Sequence, residues 1–300
     1  MLEVQDLRFA YPGEEATLSG VTFSLPPKKK LAIVGENGSG KTTLARLMCG
    51  LLEPSGGAVT VDALDTRDAA TIYEVRRKVG IVFQDPDDQI VETTVEREIG
   101  FGPRNLGLSP DQVDQRVDRA LASFGIAHLR TRSCHLLSAG EKQILAVASV
   151  SVMEPDYIIL DEATSLVDAM SRRALVSAIE RLLGETGAGL VFISMRLEDI
   201  WICDEVLFLK GGLVAFRGTK DGFLKYLVDH RYPLSGSALL LSKLEMGIPG
   251  FTAALAEFDS LSADTLASVL SALRGTPGRD SERGSSGDDA SDSKGGSGWQ

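Results

Sequence analysis

Cysteine is scarce in this chain, with only Cys49, Cys134 and Cys203 among 300 residues. An odd number, widely spaced and set among apolar neighbours, suggests neither a disulfide framework nor a zinc site, and fits a reducing compartment. Basic residues are outnumbered, 31 Lys and Arg against 42 Asp and Glu, for a net charge of -11. That deficit argues against a nucleic-acid partner, because such partners are held by a basic face. Long hydrophobic runs are missing as well. No uninterrupted apolar stretch approaches the roughly 20 residues that cross a bilayer. Met1 is followed by charged and alternating residues, so no signal peptide is expected. Any membrane role would therefore run through partners. No internal repeat is apparent. What remains is ordinary globular composition, 43% apolar and 24% charged, with room for one large domain and a small one.

The most informative stretch runs from Lys30 to Thr43. Leu31 to Val34 are apolar at consecutive positions, as suits a strand buried on both faces, and Leu44, Leu47, Met48 and Leu51 then recur at helical spacing. Between them lie Gly35, Glu36, Asn37, Gly38, Ser39, Gly40, Lys41, Thr42 and Thr43. Glycines at these positions let the backbone aim its N–H groups at phosphate oxygens. Lys41 can reach the β and γ phosphates, and the Thr42 hydroxyl can hold Mg²⁺. The helix N-terminus adds partial positive charge. Nucleotide binding is expected here.

Before this stretch, Leu2, Val4, Leu7 and Phe9, then Val21, Phe23 and Leu25, alternate on either side of Pro12-Gly13, which predicts an antiparallel β layer. Tyr11 ends the first strand, either as a turn-flanking aromatic or as a ring on which adenine stacks. Lys28 to Lys30 read as a solvated turn. Beyond the first helix, Val79 to Phe83 predict a buried strand ending in Gln84. Should it run parallel to the phosphate-loop strand, its carboxyl end opens on the crevice where α/β sheets bind ligands.

Residues 93–153 read as a helical subdomain inserted between strands. Ser109-Pro110 starts one helix, which carries Val113, Val117, Ala120, Leu121 and Phe124 up to Gly125. Ser138, Ala139, Gly140 and Glu141 start another. Ser138 and Glu141 are spaced as a capping box, but Gly140 in a first helical turn costs up to about 1 kcal/mol relative to Ala, which close approach of an anion would justify. Tyr157 to Leu160 then form a buried strand that delivers Asp161 and Glu162. One carboxylate can hold the Mg²⁺ shell while the other orients or deprotonates an attacking water. Ser165 and Asp168 follow in a turn, Asp168 being a candidate N-cap, before a helix with Leu175, Ile179 and Leu182. A strand at Leu190 to Ile193 ends in Ser194-Met195-Arg196, and a hairpin closes around Gly211-Gly212.

In this order the pieces resemble the ATP-binding subunits of ABC transporters over residues 1–230. The resemblance implies an α/β fold of the P-loop type: a mixed central sheet, an antiparallel β layer and an inserted helical subdomain. It assigns Gly35 to Thr42 to the Walker A loop and Gln84 to the Q-loop. Ser138 to Glu141 fall in the signature, Asp161 and Glu162 in Walker B, Ser165 to Asp168 in the D-loop, and Tyr11 at the adenine-stacking position. It implies ATP and Mg²⁺, with Thr42, Gln84 and Asp161 around the metal and Glu162, Lys41 and Gln84 acting on ATP. The segments 9–13, 84–89 and 101–108 are similar to the energy-coupling-factor group, whose ATPases power uptake of vitamins or of cobalt and nickel. That narrower likeness implies a second ATPase subunit, a transmembrane scaffold and a membrane substrate-binding component, with this chain on the cytoplasmic face of the membrane.

Two positions depart from the family pattern. Met195 stands where a switch histidine is usual, and a thioether cannot donate a hydrogen bond. The signature reads Leu-Ser-Ala-Gly-Glu instead of Leu-Ser-Gly-Gly-Gln. A slowed own site and a heterodimer are the expectations. The alternatives are a regulatory ATP-binding subunit that barely hydrolyses and a soluble ABC ATPase outside transport. Against the latter, the gap between Walker A and signature is short and only one set of motifs is present. Past residue 231, Leu241, Leu244, Phe251, Leu255, Phe258, Leu266 and Leu270 suggest a small helical region to about 275. Residues 276–300, with almost no apolar side chain, read as disordered.

Overall fold

A computed structural model of the chain describes residues 1–165, 167–194 and 197–230. The expected C-terminal helical region, the tail and Met195 lie outside the described residues.

The first strand, β1 (Leu2–Ala10), pairs antiparallel with β2 (Ala16–Leu25) on one side and β4 (Gly56–Val61) on the other, and β5 (Leu64–Asp65) extends the layer. Leu2, Val4, Leu7 and Phe9 are all buried although the first pair has even numbers and the second odd. A bulge between Val4 and Leu7, with Asp6 at φ +42°, inserts the extra residue that restores the buried face.

The central sheet contains β3 (Lys30–Gly35), β6 (Val79–Val82), β7 (Tyr157–Asp161), β8 (Gly189–Ile193), β9 (Glu205–Lys210) and β10 (Leu213–Gly218). Its order is β10-β9-β3-β8-β7-β6, parallel throughout except for β10. The sheet is mixed, as expected, and the β9–β10 turn uses Gly211 and Gly212 at φ +53° and +74°, the conformation a tight hairpin needs. Leu31, Ile33, Ile159, Val191, Ile193 and Leu207 form one core with the antiparallel layer and with α1 (Lys41–Met48).

Three details differ from expectation. Leu51 does not continue the apolar stripe of α1. The helix stops at Met48, Gly50 turns the chain at φ +66°, and Leu51 is exposed. The strand expected from Val79 to Phe83 ends at Val82 and, as the sheet's edge, is half-buried in its middle. In α6 (Ala169–Thr186) the core position falls to Leu183, and Leu182 is only half-buried.

After α2 (Ile72–Lys78) and β6, the chain forms α3 (Val95–Asn105), α4 (Pro110–Ser123) and α5 (Ala139–Ser151) before returning as β7. Ser109 and Gln112 make a full capping box on α4, whose Val113, Val117, Ala120 and Leu121 are buried. The last described helix, α7 (Lys220–Asp229), sets Phe223 against Phe208 and Phe216 of the closing hairpin. The three cysteines are buried free thiols, and burial pushes Cys49 up to about 11 and Cys203 to about 12. Among the described residues no helix is long and apolar enough to cross a membrane.

Candidate active site

The carboxyl ends of β3, β6 and β7 open on the same edge of the sheet, because all three run parallel. This is the crevice that open α/β sheets use for ligands. The phosphate loop leaves β3 at Gly35, where a Cβ would sit 2.3 Å from the Leu209 carbonyl oxygen and 2.6 Å from Ser39 Oγ. Gly40, at φ +99°, turns the chain into α1, and a Cβ there would lie 2.7 Å from Leu18. Glycine is therefore dictated at both positions by the chain's own backbone. The start of α1 has no side-chain cap, so its first N–H groups, which have no partner inside the helix, face the loop. The Ser39 hydroxyl is buried and has no hydrogen-bond partner. A phosphate-bearing ligand would satisfy both features.

Lys41 lies across this loop, almost wholly buried, and its Nζ donates to the carbonyls of Gly35 (2.9 Å) and Glu36 (2.8 Å). Burial lowers its pKa, while the nearby charges of Glu162 and Asp161 oppose that shift. The Thr42 hydroxyl donates to Asp161 Oδ1 at 3.2 Å. Asp161 is 2% exposed, and burial raises its pKa, Thr42 opposing. A buried carboxylate beside a hydroxyl is a hard-oxygen pair that gains from a cation. Mg²⁺ is commonly held in this way, by one or two protein oxygens together with substrate phosphates.

Glu162 follows immediately, at φ +49°. A left-handed conformation in a residue other than glycine costs on the order of 1 to 3 kcal/mol and persists only where its surroundings fix it. Its N–H donates to the Ile193 carbonyl (3.0 Å) at the end of β8, and its own carbonyl accepts from Ser165 N–H (2.9 Å). Its side chain accepts from Gln84 Nε2 at 3.3 Å. The preceding peptide, at Phe83, is gripped on both sides: its N–H donates to Gln89 Oε1 (3.1 Å) and its carbonyl accepts from Gln143 Nε2 (3.3 Å). These bonds replace the ladder and explain why β6 stops at Val82. Gln143 is fully buried on α5, and Lys142 beside it pairs with Asp87 at 2.6 Å.

Tyr11 adjoins the same helix start. Its hydroxyl lies 3.3 Å from Thr43 Oγ1, and its ring packs edge-on to Phe9 at a centroid distance of 4.9 Å. Elsewhere, Ser138 caps α5 with a complete capping box. The Glu141 carboxylate accepts from Ser138 N–H (2.7 Å) and Oγ (2.9 Å) and faces Arg132 at 3.8 Å. The Ser138 N–H bond in particular holds the Glu141 carboxyl below the usual carboxylate range. A Cβ on Gly140 would meet Ser171 at 3.4 Å and Val167 at 3.7 Å, ordinary contacts. Asp168 accepts from Ser171 N–H at 3.1 Å, as an N-cap of α6 does, and Ser165 Oγ is buried without a partner. The structure thus gathers Gly35 to Thr43, Tyr11, Gln84, Asp161 and Glu162. Among the described residues, no hydrogen bond joins Ser138 to Glu141 with the phosphate loop.

The ABC transporter family pattern matches residues 18–165. The chain is 43% identical over 216 residues to the cobalt import ATP-binding protein CbiO of Syntrophus aciditrophicus, covering 72% of this chain and 77% of that protein. The chain belongs to the energy-coupling-factor ATPases of the ABC transporter family. The energy-coupling factor transporter ATP-binding protein EcfA of Methanosarcina acetivorans is 38% identical over 227 residues, 76% of this chain and 82% of that one. Among solved structures, the cbiO1 protein of Clostridium perfringens, described as part of the ABC transporter complex cbiONQ, superposes with a TM-score of 0.68 at 32% identity. That superposition covers 77% of this chain and 95% of that one. As an energy-coupling-factor ATPase, the chain binds ATP and hydrolyses it to power import.

Sequence reasoning placed Gln89 only within the segment 84–89, without a role of its own, and passed over Gln143 and Asp199. Each is a polar residue in a loop or on an otherwise apolar helix face. Only the burial of Gln143 and Asp199, invisible in a one-dimensional pattern, marks them out.

Proposed function

We propose that this chain drives uptake of a transition-metal ion, cobalt or nickel, or of a vitamin, through membrane partners, and that Glu162 is the general base of its ATPase reaction. One observation carries the ATPase part of the reading: Thr42 Oγ1 meets Asp161 and Gln84 meets Glu162 at the carboxyl ends of parallel strands of one sheet, while the cargo is inferred from the likeness to the cobalt import and energy-coupling-factor proteins. In this reading the loop N–H groups, Ser39 and Lys41 bind the phosphates, Thr42 and Asp161 hold Mg²⁺, and Tyr11 packs on adenine. Bound Mg²⁺ would neutralise charge on the β and γ phosphates. Glu162 accepts the proton of the attacking water, and Gln84 orients the Glu162 carboxylate and completes the metal's surroundings. A positioned general base is worth about 10²- to 10⁴-fold in rate.

Ser138, Ala139, Gly140 and Glu141 serve the nucleotide of a second ATPase subunit. Gly140 supports this, since among the described residues nothing demands glycine there. Glu141 is engaged in its own capping box, so its charge is tied to Ser138 and Arg132. Met195 leaves the chain's own site without the switch N–H. A lost hydrogen bond to a charged group is worth about 1.5 to 3 kcal/mol, a roughly ten- to hundredfold slower step. A heterodimer with a related ATPase would confine that defect to one site, on the cytoplasmic face of a transmembrane scaffold with its substrate-binding component. The test is radioactive cobalt uptake into proteoliposomes holding the purified complex. ATP-dependent uptake that is abolished by Glu162→Gln is expected. ATP-dependent uptake of a vitamin in place of the metals would leave the reading standing, and uptake of none of them would overturn it.

A further inference from the structure

Asp199 is 3% exposed, in the short 3₁₀ segment Leu197–Ile202, and touches neither the phosphate loop nor the carboxylate of Glu162 by any described hydrogen bond. Its Oδ2 accepts two short bonds, from Thr164 Oγ1 and from Ser194 Oγ, each at 2.7 Å. Both hydroxyls are buried, at 1% and 3% exposed. Burying a carboxylate is expensive unless it is well paired, and hydroxyl-to-carboxylate bonds of this length are among the strong ones.

The two hydroxyls lie on opposite sides of Glu162. Thr164 belongs to the turn just beyond it, closed by Ser165 N–H to the Glu162 carbonyl at 2.9 Å. Ser194 directly follows Ile193, whose carbonyl holds the Glu162 N–H, and the Ser194 N–H in turn donates to Ile33 in β3 at 3.2 Å. One carboxylate oxygen thus ties the turn after Glu162 to the strand end from which Glu162 hangs. Glu162 needs such restraint, because it sits at φ +49°. We propose that Asp199 is a positioning residue for the hydrolytic step, holding the backbone frame that aims the Glu162 carboxylate.

The inference rests on the reading of Glu162 as general base, and the experiment separates the two. ATP turnover and half-saturation of this chain's own site are measured on the purified membrane complex, its second ATPase inactivated, carrying Asp199→Ala, Asp199→Asn, Thr164→Val, Ser194→Ala or Glu162→Gln. Misaiming a reacting group by a fraction of an ångström to 1 Å costs roughly ten- to a hundredfold in rate. Asp199→Ala should therefore lower turnover about tenfold while half-saturation stays within about twofold. Asp199→Asn keeps an oxygen able to accept both hydroxyls and should recover most of the loss. Thr164→Val and Ser194→Ala should each give a smaller fall of the same kind, and they carry the test if Asp199→Ala fails to assemble. Unchanged turnover in these variants alongside a dead Glu162→Gln overturns the role of Asp199 alone. An active Glu162→Gln overturns the general-base reading and this inference together. A fall expressed only in half-saturation, or not recovered by asparagine, also contradicts it.

Discussion

Two helices of this protein begin in opposite ways. α1 starts at a left-handed glycine with no side-chain cap, beneath a buried serine hydroxyl that has no partner. α5 starts at Ser138 with every part of a capping box in place. The first N-terminus is left unfinished by its own chain and requires glycine at Gly35 and Gly40 for steric reasons. The second is finished by its own chain, yet it carries a glycine that its own packing does not require. The difference teaches how one chain can leave one helix start open for a ligand and close another by itself, as the proposed sharing of sites between two subunits would need. An element built for its own ligand shows orphaned donors and backbone-forced glycines. An element proposed to serve a partner's ligand is self-sufficient in stability, and its glycine is not forced by the contacts a Cβ would make with Ser171 and Val167.

The largest effect that could break this contrast is at Glu162. Glu162→Gln should cut turnover at this chain's own site by about 10²- to 10⁴-fold while leaving ATP binding intact, as an ATPase assay on a complex whose second ATPase is inactivated, beside a nucleotide-binding titration, would report. Met195→His should act in the other direction, raising turnover of that same site roughly ten- to a hundredfold. Unchanged turnover would sink the idea of a slow own site. The two glycines sharpen the contrast further. Gly40→Ala forces a methyl into Leu18 at φ +99° and should lower the melting temperature and abolish ATP binding together. Gly140→Ala should instead leave the chain as stable or slightly more so, by up to about 1 kcal/mol, since Ala is the better helix former, and yet reduce turnover of the assembled complex. The smallest effect is that of Glu141. Its folded pKa is depressed, chiefly by the Ser138 N–H. Its contribution to stability is complete above the ordinary carboxylate value and is lost as pH falls through the lower folded value. Glu141→Ala should remove about 1 kcal/mol, as loss of a capping partner does, and should flatten the acid limb of the stability profile.

Much of this was legible in the chain itself, for physical reasons. The phosphate loop, the β7 carboxylates, the helix start at Ser109 and the capping box at Ser138 depend on local spacing, and spacing survives in one dimension. The parallel direction of β6 relative to β3, which brings Gln84 to Glu162, was a condition that only the sheet order could meet. Leu51 and Leu182 misled because helical periodicity says nothing about where a helix stops or which of two adjacent leucines faces inward. Asp199 and Gln143 were silent because a buried polar residue looks like any surface one until its partners, 35 and 60 residues away, are known.

The central claim is that α1 and α5 serve nucleotides on different subunits. It is tested most directly by photolabelling the purified complex with azido-ATP and measuring label on each ATPase chain. Lys41→Ala in this chain should abolish its own label. Gly140→Ala should spare this chain's label and diminish that of the second ATPase. Loss of this chain's own label in Gly140→Ala, with the second ATPase labelled as before, would contradict the account.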